Sequence, residues 1–180
     1  MLSAANRTEI EEILEDIHSS EFSSIADPYS LPDGEANKYL LGLREASENA
    51  SIAIDQIKTL LRRHENKIRK VAESIDLLPL DFPDQVINSF RTEATNFSAA
   101  YKEVLTLLSV EYSLLAKLYE FRMLEKGNFS VQNGNRLIFN SQSKADAFNN
   151  IARKFKLNRS NLEAAEKELR EYKYGSIKNN

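Results

Sequence analysis

The chain has 180 residues, 42% hydrophobic and 28% charged, with a net charge of −3. That size suits one domain, and the composition excludes both a disordered tail and a membrane span. The 5 Gly and 4 Pro are too few for the turns of an all-β sandwich, 0 Cys excludes a disulfide scaffold, thiolate nucleophile or zinc knuckle, and 2 His leave metal and acid–base chemistry to carboxylates.

No apolar run reaches the roughly 18 residues a membrane-crossing helix needs. Met1 to Ile10 lacks the basic-then-apolar pattern of a signal peptide. The chain therefore reads either as cytosolic or as trimmed of an export segment.

A first helix is predicted over 9–22. Thr8 and Glu11 make a capping box, and Ile10, Ile13, Leu14 and Ile17 share one face. Pro28, Pro32 and Gly34 mark the following stretch as a loop. The second helix, 36–78, carries the clearest signal. Leu40, Leu43, Ser47, Ala50, Ile54, Ile57, Leu61, His64, Ile68, Val71, Ile75 and Leu78 alternate by four and three, a heptad seam with polar interruptions at Ser47 and His64. At 1.5 Å per residue such a helix is about 60 Å long.

Pro79 and Pro83 stop this helix and reverse the chain, and Asp84 opens a third over 84–126. Its early stripe is Ile87, Phe90, Ala94, Phe97, Tyr101, Val104 and Leu108. Past Val104 it is apolar nearly all round, which calls for burial by several neighbours. Gly127 is expected to end it. Residues 129–139 read as a β-hairpin around Asn133-Gly134. A two-residue loop would set Val131 opposite Arg136. A three-residue loop, Asn133 to Asn135, sets Val131 opposite Leu137 and Phe129 opposite Phe139, and is preferred because both apolar pairs then share a face.

The last helix is predicted over 144–173. Ser160 with Glu163 resembles a capping box and argues for a break near Leu157 to Ser160. The unbroken rhythm of Phe148, Ile151, Phe155, Asn158, Leu162, Ala165, Leu169 and Tyr172 argues for one helix, which we favour. Short links make successive helices antiparallel. The expected fold is all-α: a single domain, 1–180, forming an elongated antiparallel helical bundle or coiled-coil hairpin of three long helices. A short N-terminal helix and the β-hairpin would cover the greasy half of the third helix, leaving a thin tip near Pro79 to Pro83.

Candidate chemistry is sparse. Glu15 and His18 form a Glu-x-x-His element of di-metal bundles, but Leu61 stands three residues before His64, so the second pair is missing and no metal is expected. His64 and Asn158 on apolar seams read as register-setting polar residues. Basic side chains gather at Arg62, Arg63, Lys67, Arg69 and Lys70, a candidate interaction surface, and again at Arg153, Lys154, Lys156 and Arg159. Residues 1–48 carry 11 acidic and 3 basic side chains, a net −8 that can offset them, and no aromatics interleave to stack bases, so nucleic acid is not expected. Tyr101, Tyr112 and Tyr119, with Phe121, form a candidate aromatic cleft, against which stands ordinary core packing. No phosphate loop, serine elbow or paired-carboxylate motif occurs, so neither cofactor nor catalysis is expected.

Gly127, Phe129, Val131, Asn133-Gly134 and Phe139, followed by Ala145, Ala147, Phe148, Asn149 and Ile151, resemble the C-terminal segment of a family of uncharacterised bacterial helical lipoproteins. There, too, long helices precede a short hairpin and a final helix. The resemblance covers residues 127–151 closely and implies an exported, lipid-anchored domain without catalysis. It supplies no site residues.

The expected function is a non-enzymatic, extracytoplasmic helical domain of a bacterial envelope protein, serving as a spacer or binding a protein or cell-wall component. Membrane attachment would come only through a removed anchor. The alternative is a cytosolic coiled-coil adaptor, whose half-covered seam of Ile57 to Val71 against Ile87 to Tyr101 pairs with a second copy or a partner helix. A small-ligand bundle built on the tyrosines is a third.

Overall fold

The computed structural model describes Thr8, Glu9, Glu12, Ile25, residues 27–29, Leu31, and residues 36–75, 81–133 and 136–175, with the side chains of Ala36 and of 172–175 left aside. It is mostly helical, with helices α1 (Ala36–Glu73), α2 (Phe82–Leu124) and α3 (Gln142–Gly175) and the antiparallel strands β1 (Phe129–Gln132) and β2 (Arg136–Phe139) between α2 and α3. Of the predicted 9–22 helix, Thr8, Glu9 and Glu12 are helical and exposed. Ile10, Ile13, Leu14, Glu15, Ile17 and His18 lie outside the described residues. Glu9 is close enough to act electrostatically on His64 in the last third of α1.

Helix α1 stops short of the predicted Leu78. The hydroxyl and the amide of Ser74 both donate to the Val71 carbonyl, at 2.7 and 3.1 Å, and that local capture competes with another helical turn. Its seam also shifts. Leu43, Ala50, Ile57 and His64 are buried at seven-residue intervals as expected, but Val71 is 62% exposed and Ala72 is buried instead. A straight α-helix drifts about 20° per heptad, so an unsupercoiled seam passes to the next residue after a few heptads.

Helix α2 begins two residues before the predicted Asp84. Pro83 sits in its first turn, where a missing N–H costs nothing, and Asp81 accepts from the Gln85 amide side chain at 2.6 Å. It ends at Leu124. Gly127, expected to terminate it directly, follows at φ +89° in the turn that leads into β1. The hairpin has the register set by the three-residue loop, Phe129 opposite Phe139 and Val131 opposite Leu137. Asn133 takes φ 52°, the left-handed conformation asparagine tolerates. A further rung follows, where the Asn140 amide donates to the Asn128 carbonyl at 2.9 Å.

Helix α3 is unbroken through 157–160, and Phe148, Phe155, Asn158, Leu162, Ala165 and Leu169 are all buried along it. Cross-helix partners set the directions. Glu120, Arg91 and Asp84 of α2 meet Arg44, Glu65 and Arg69 of α1, so the two run antiparallel. Likewise Glu125 meets Lys144 and Glu111 meets Arg159, so α3 is antiparallel to α2. At that offset Gly175 comes level with about Ala94, leaving the first turns of α2 beyond the reach of α3. Among the described residues α2 packs against both other helices, and α1 and α3 do not meet.

Candidate interaction surface

Helical rotation divides the predicted basic cluster. At 100° per residue Arg62 and Arg69 share one flank of α1, while Arg63, Lys67 and Lys70 share another. The Arg69 guanidinium stands 3.7 Å from Glu73 and 3.8 Å from Asp84. Arg62, Arg63, Lys67 and Lys70 are exposed and have no ion pair among the described residues. Arg63 borders a shallow hollow of about 390 Å³ over Ile52, Thr59 and Leu60.

Arg62 borders a groove of about 400 Å³ between α1 and α2. Its rim also holds Lys58, Arg91 and Lys102, with one carboxylate, Glu65, and Leu61, Phe90 and Ala94 line it below. Two of these cations are engaged. Lys58 donates to Asp55 at 2.7 Å and holds that carboxyl below its usual range. Arg91 donates twice to one oxygen of Glu65, at 2.7 and 3.0 Å, which raises the guanidinium's own pKa. Arg62 and Lys102 have no ion pair among the described residues.

The three predicted cleft tyrosines do not form a cleft. Tyr101, Tyr112 and Tyr119 are fully buried on one face of α2 but span 18 residues, about 27 Å. Tyr101 packs on Phe97 with ring centroids 4.4 Å apart, and Tyr119 stacks on Tyr39 of α1 at 5.8 Å. They are core, because a shared helix face puts residues in line rather than around a common space. The real aromatic cluster gathers three elements. Phe121 of α2, Phe139 of β2 and Phe148 of α3 meet pairwise at 5.4–5.8 Å, with Tyr29 at 5.5 Å from Phe148 and Phe129 at 5.5 Å from Phe139. Arg122 ties the same end to the loop before α1 by donating to the Leu31 carbonyl at 2.8 Å.

The second basic cluster is also divided. Arg153 and Lys154 are exposed, and Lys156 lies 5.2 Å from the centre of the Tyr29 ring. Arg159 turns inward to Glu111, which is 0% exposed and the only carboxylate between Glu103 and Glu120. Arg159 donates to one Glu111 oxygen, and the other, Oε2, has no hydrogen-bond partner among the described residues. Burial pushes the Glu111 carboxyl up. Arg159 opposes this, and the nearby Glu166 and Glu163 add to it. One residue away, the Asn158 side chain donates to the Leu107 carbonyl at 2.9 Å. The sequence reading singled out Asn158 and missed Glu111, although a lone acid in the apolar run of α2 was the available signal.

His64 is buried in the α1–α2 seam, and its Nε2 has no hydrogen-bond partner among the described residues. Burial pushes its pKa down, opposed by Glu9 and reinforced by Lys67 and Arg63. Neither the groove nor the hollow described above is lined by His64 or Glu111. Among the described residues no three metal-ligating side chains cluster, and no helix is long and apolar enough to cross a membrane. Comparison with protein families, curated proteins and solved structures gives no match.

Proposed function

We propose that this chain is a non-catalytic helical interaction module, an elongated antiparallel bundle in which α1 and α2 form a coiled-coil-like arm and α3 braces one end. The observation that carries this reading is the arm itself. Its far end, about the last three turns of α1 against the first turns of α2, passes beyond α3 and holds the cations Arg62, Arg63, Lys67 and Lys70 without ion pairs among the described residues. Exposed apolar side chains lie along the arm too, with Ile52 48% and Ile75 46% exposed beside Val71. Unsatisfied cations interspersed with exposed apolar groups are what a polar-rimmed protein interface offers.

Photocrosslinking side chains introduced in cells at Arg62 and Lys70, and for comparison at Lys154 on α3, test it. Adducts with a protein or cell-wall component from the arm positions alone are the expected result. Adducts from no position, or equally from all three, overturn it. We carry the bacterial envelope location forward from the lipoprotein resemblance of residues 127–151. A signal peptide or lipobox encoded upstream in the native gene supports it, and an ordinary cytosolic start overturns it.

A further inference from the structure

We infer that the groove between α1 and α2 is a docking site for an acidic amphipathic helix of a protein partner. The inference rests on the interaction-module reading and gives it a ligand chemistry. Charge points first to the occupant. Four cations, Lys58, Arg62, Arg91 and Lys102, and one carboxylate, Glu65, line the groove, a local +3 on a chain whose net charge is −3. Glu65 is taken by Arg91, and Lys58 has its own partner in Asp55. Arg62 on one wall and Lys102 on the other are left to meet a ligand's carboxylates, and both are exposed.

The space between these cations selects the class of ligand. Leu61, Phe90 and Ala94 are apolar and already nearly buried, so a ligand that covers them needs an apolar stripe of its own. Thr95, Ser98 and Ala99 are small and let another backbone come close. A phosphate backbone or lipid headgroup would satisfy the cations and leave that apolar strip unused. A helix with apolar residues at three- and four-residue spacing, flanked by Glu or Asp, matches both features.

Geometry sets the length. Arg91 to Lys102 spans 11 residues, about 16 Å or three helical turns. A trough between two packed antiparallel helices is also where a third helix seats, at about 8–10 Å between axes. Helix α3 does not fill it. Leu107, Glu111 and Phe121, its partners on α2, lie on roughly the opposite face from Thr95, Ser98 and Lys102.

The test uses the whole chain and a synthetic, fluorescent three-turn helix with Leu at helical spacing and Glu on both flanks, read by anisotropy. Arg62→Glu with Lys102→Glu is expected to weaken binding at least about tenfold, and a Lys-flanked version of the peptide to prefer that variant over the native chain. Ser98→Trp, which fills the groove without touching charge, is expected to abolish binding of the Glu-flanked peptide. Circular dichroism confirms that each variant is folded, which these exposed or half-buried positions permit. No binding up to about 1 mM, equal binding to native and charge-reversed chains, or tighter binding of duplex DNA or of phosphatidylglycerol vesicles overturns the inference. Arm crosslinks without peptide binding sink the groove and spare the module. Peptide binding without arm crosslinks does the reverse.

Discussion

Helix α2 has two neighbours and treats polar groups differently on each side. Against α1, apart from the buried His64, its polar contacts sit where water reaches them. The Ser47 hydroxyl donates to the Ser109 carbonyl at 3.0 Å, Ser51 and Ser109 hydroxyls meet at 3.1 Å, and charged pairs such as Arg44 with Glu120 ride the rim. Against α3 the polar contact is driven into the dry core, with a fully buried carboxylate bound to Arg159. The difference shows that water access, more than the number of polar contacts, decides what a polar residue costs. At the rim a lost partner is replaced by solvent, and in the core it is not.

The largest effect is expected where α3 and the hairpin meet. Phe148→Ala empties a fully buried site that touches Tyr29, Phe121 and Phe139, and should cost about 3–5 kcal/mol in urea denaturation. Arg159→Ala strands the Glu111 charge and should cost about 3 kcal/mol at pH 8, the low end for breaking a buried pair because Arg159 is itself 25% exposed. That loss should shrink on acidification, as Glu111 takes up a proton. If the two substitutions destabilise less than the rim variant below, the contrast between the faces of α2 fails.

The two seams should also answer pH with opposite signs. Glu111 has a raised folded pKa, so the stability it permits is complete below the ordinary carboxylate value and is lost as pH rises through the folded value. Glu111→Gln should therefore be more stable than the native chain at pH 8, and the gap should close towards pH 4. His64 has a lowered folded pKa, so its contribution is complete above the ordinary imidazole value and is lost as pH falls through the folded value. His64→Leu should remove that acid-side loss and leave the alkaline side unchanged. Thermal melts across the pH range check both. The smallest effect belongs to the rim, where Arg44→Ala should shift stability by only about 0.2–1 kcal/mol and less in high salt.

Much of this architecture was legible one residue at a time. Phe148, Phe155, Leu162 and Leu169 are spaced for one helix face, and that face is buried. Phe129 and Phe139 pair because a period of two allows only one register with both apolar pairs together. The move from Val71 to Ala72 was not legible, since seam phase depends on how far two helices supercoil, a property of the pair. Nor was the groove. Arg62 is visible in α1 alone, but Lys102 lies 40 residues away and becomes its opposite wall only through antiparallel packing. Arg159 reads in the sequence only as one of four neighbouring cations, because its partner Glu111 is on another helix.

Local pattern by itself determined which segments coil, which face of each coil avoids water, and how the hairpin registers, because those follow from periodicity and turn chemistry within a few residues. Tertiary structure decided which buried faces meet, which charges find partners, and where an open trough remains. Those depend on helix offsets and rotations that arise only when whole elements pack, and no short stretch of chain encodes them.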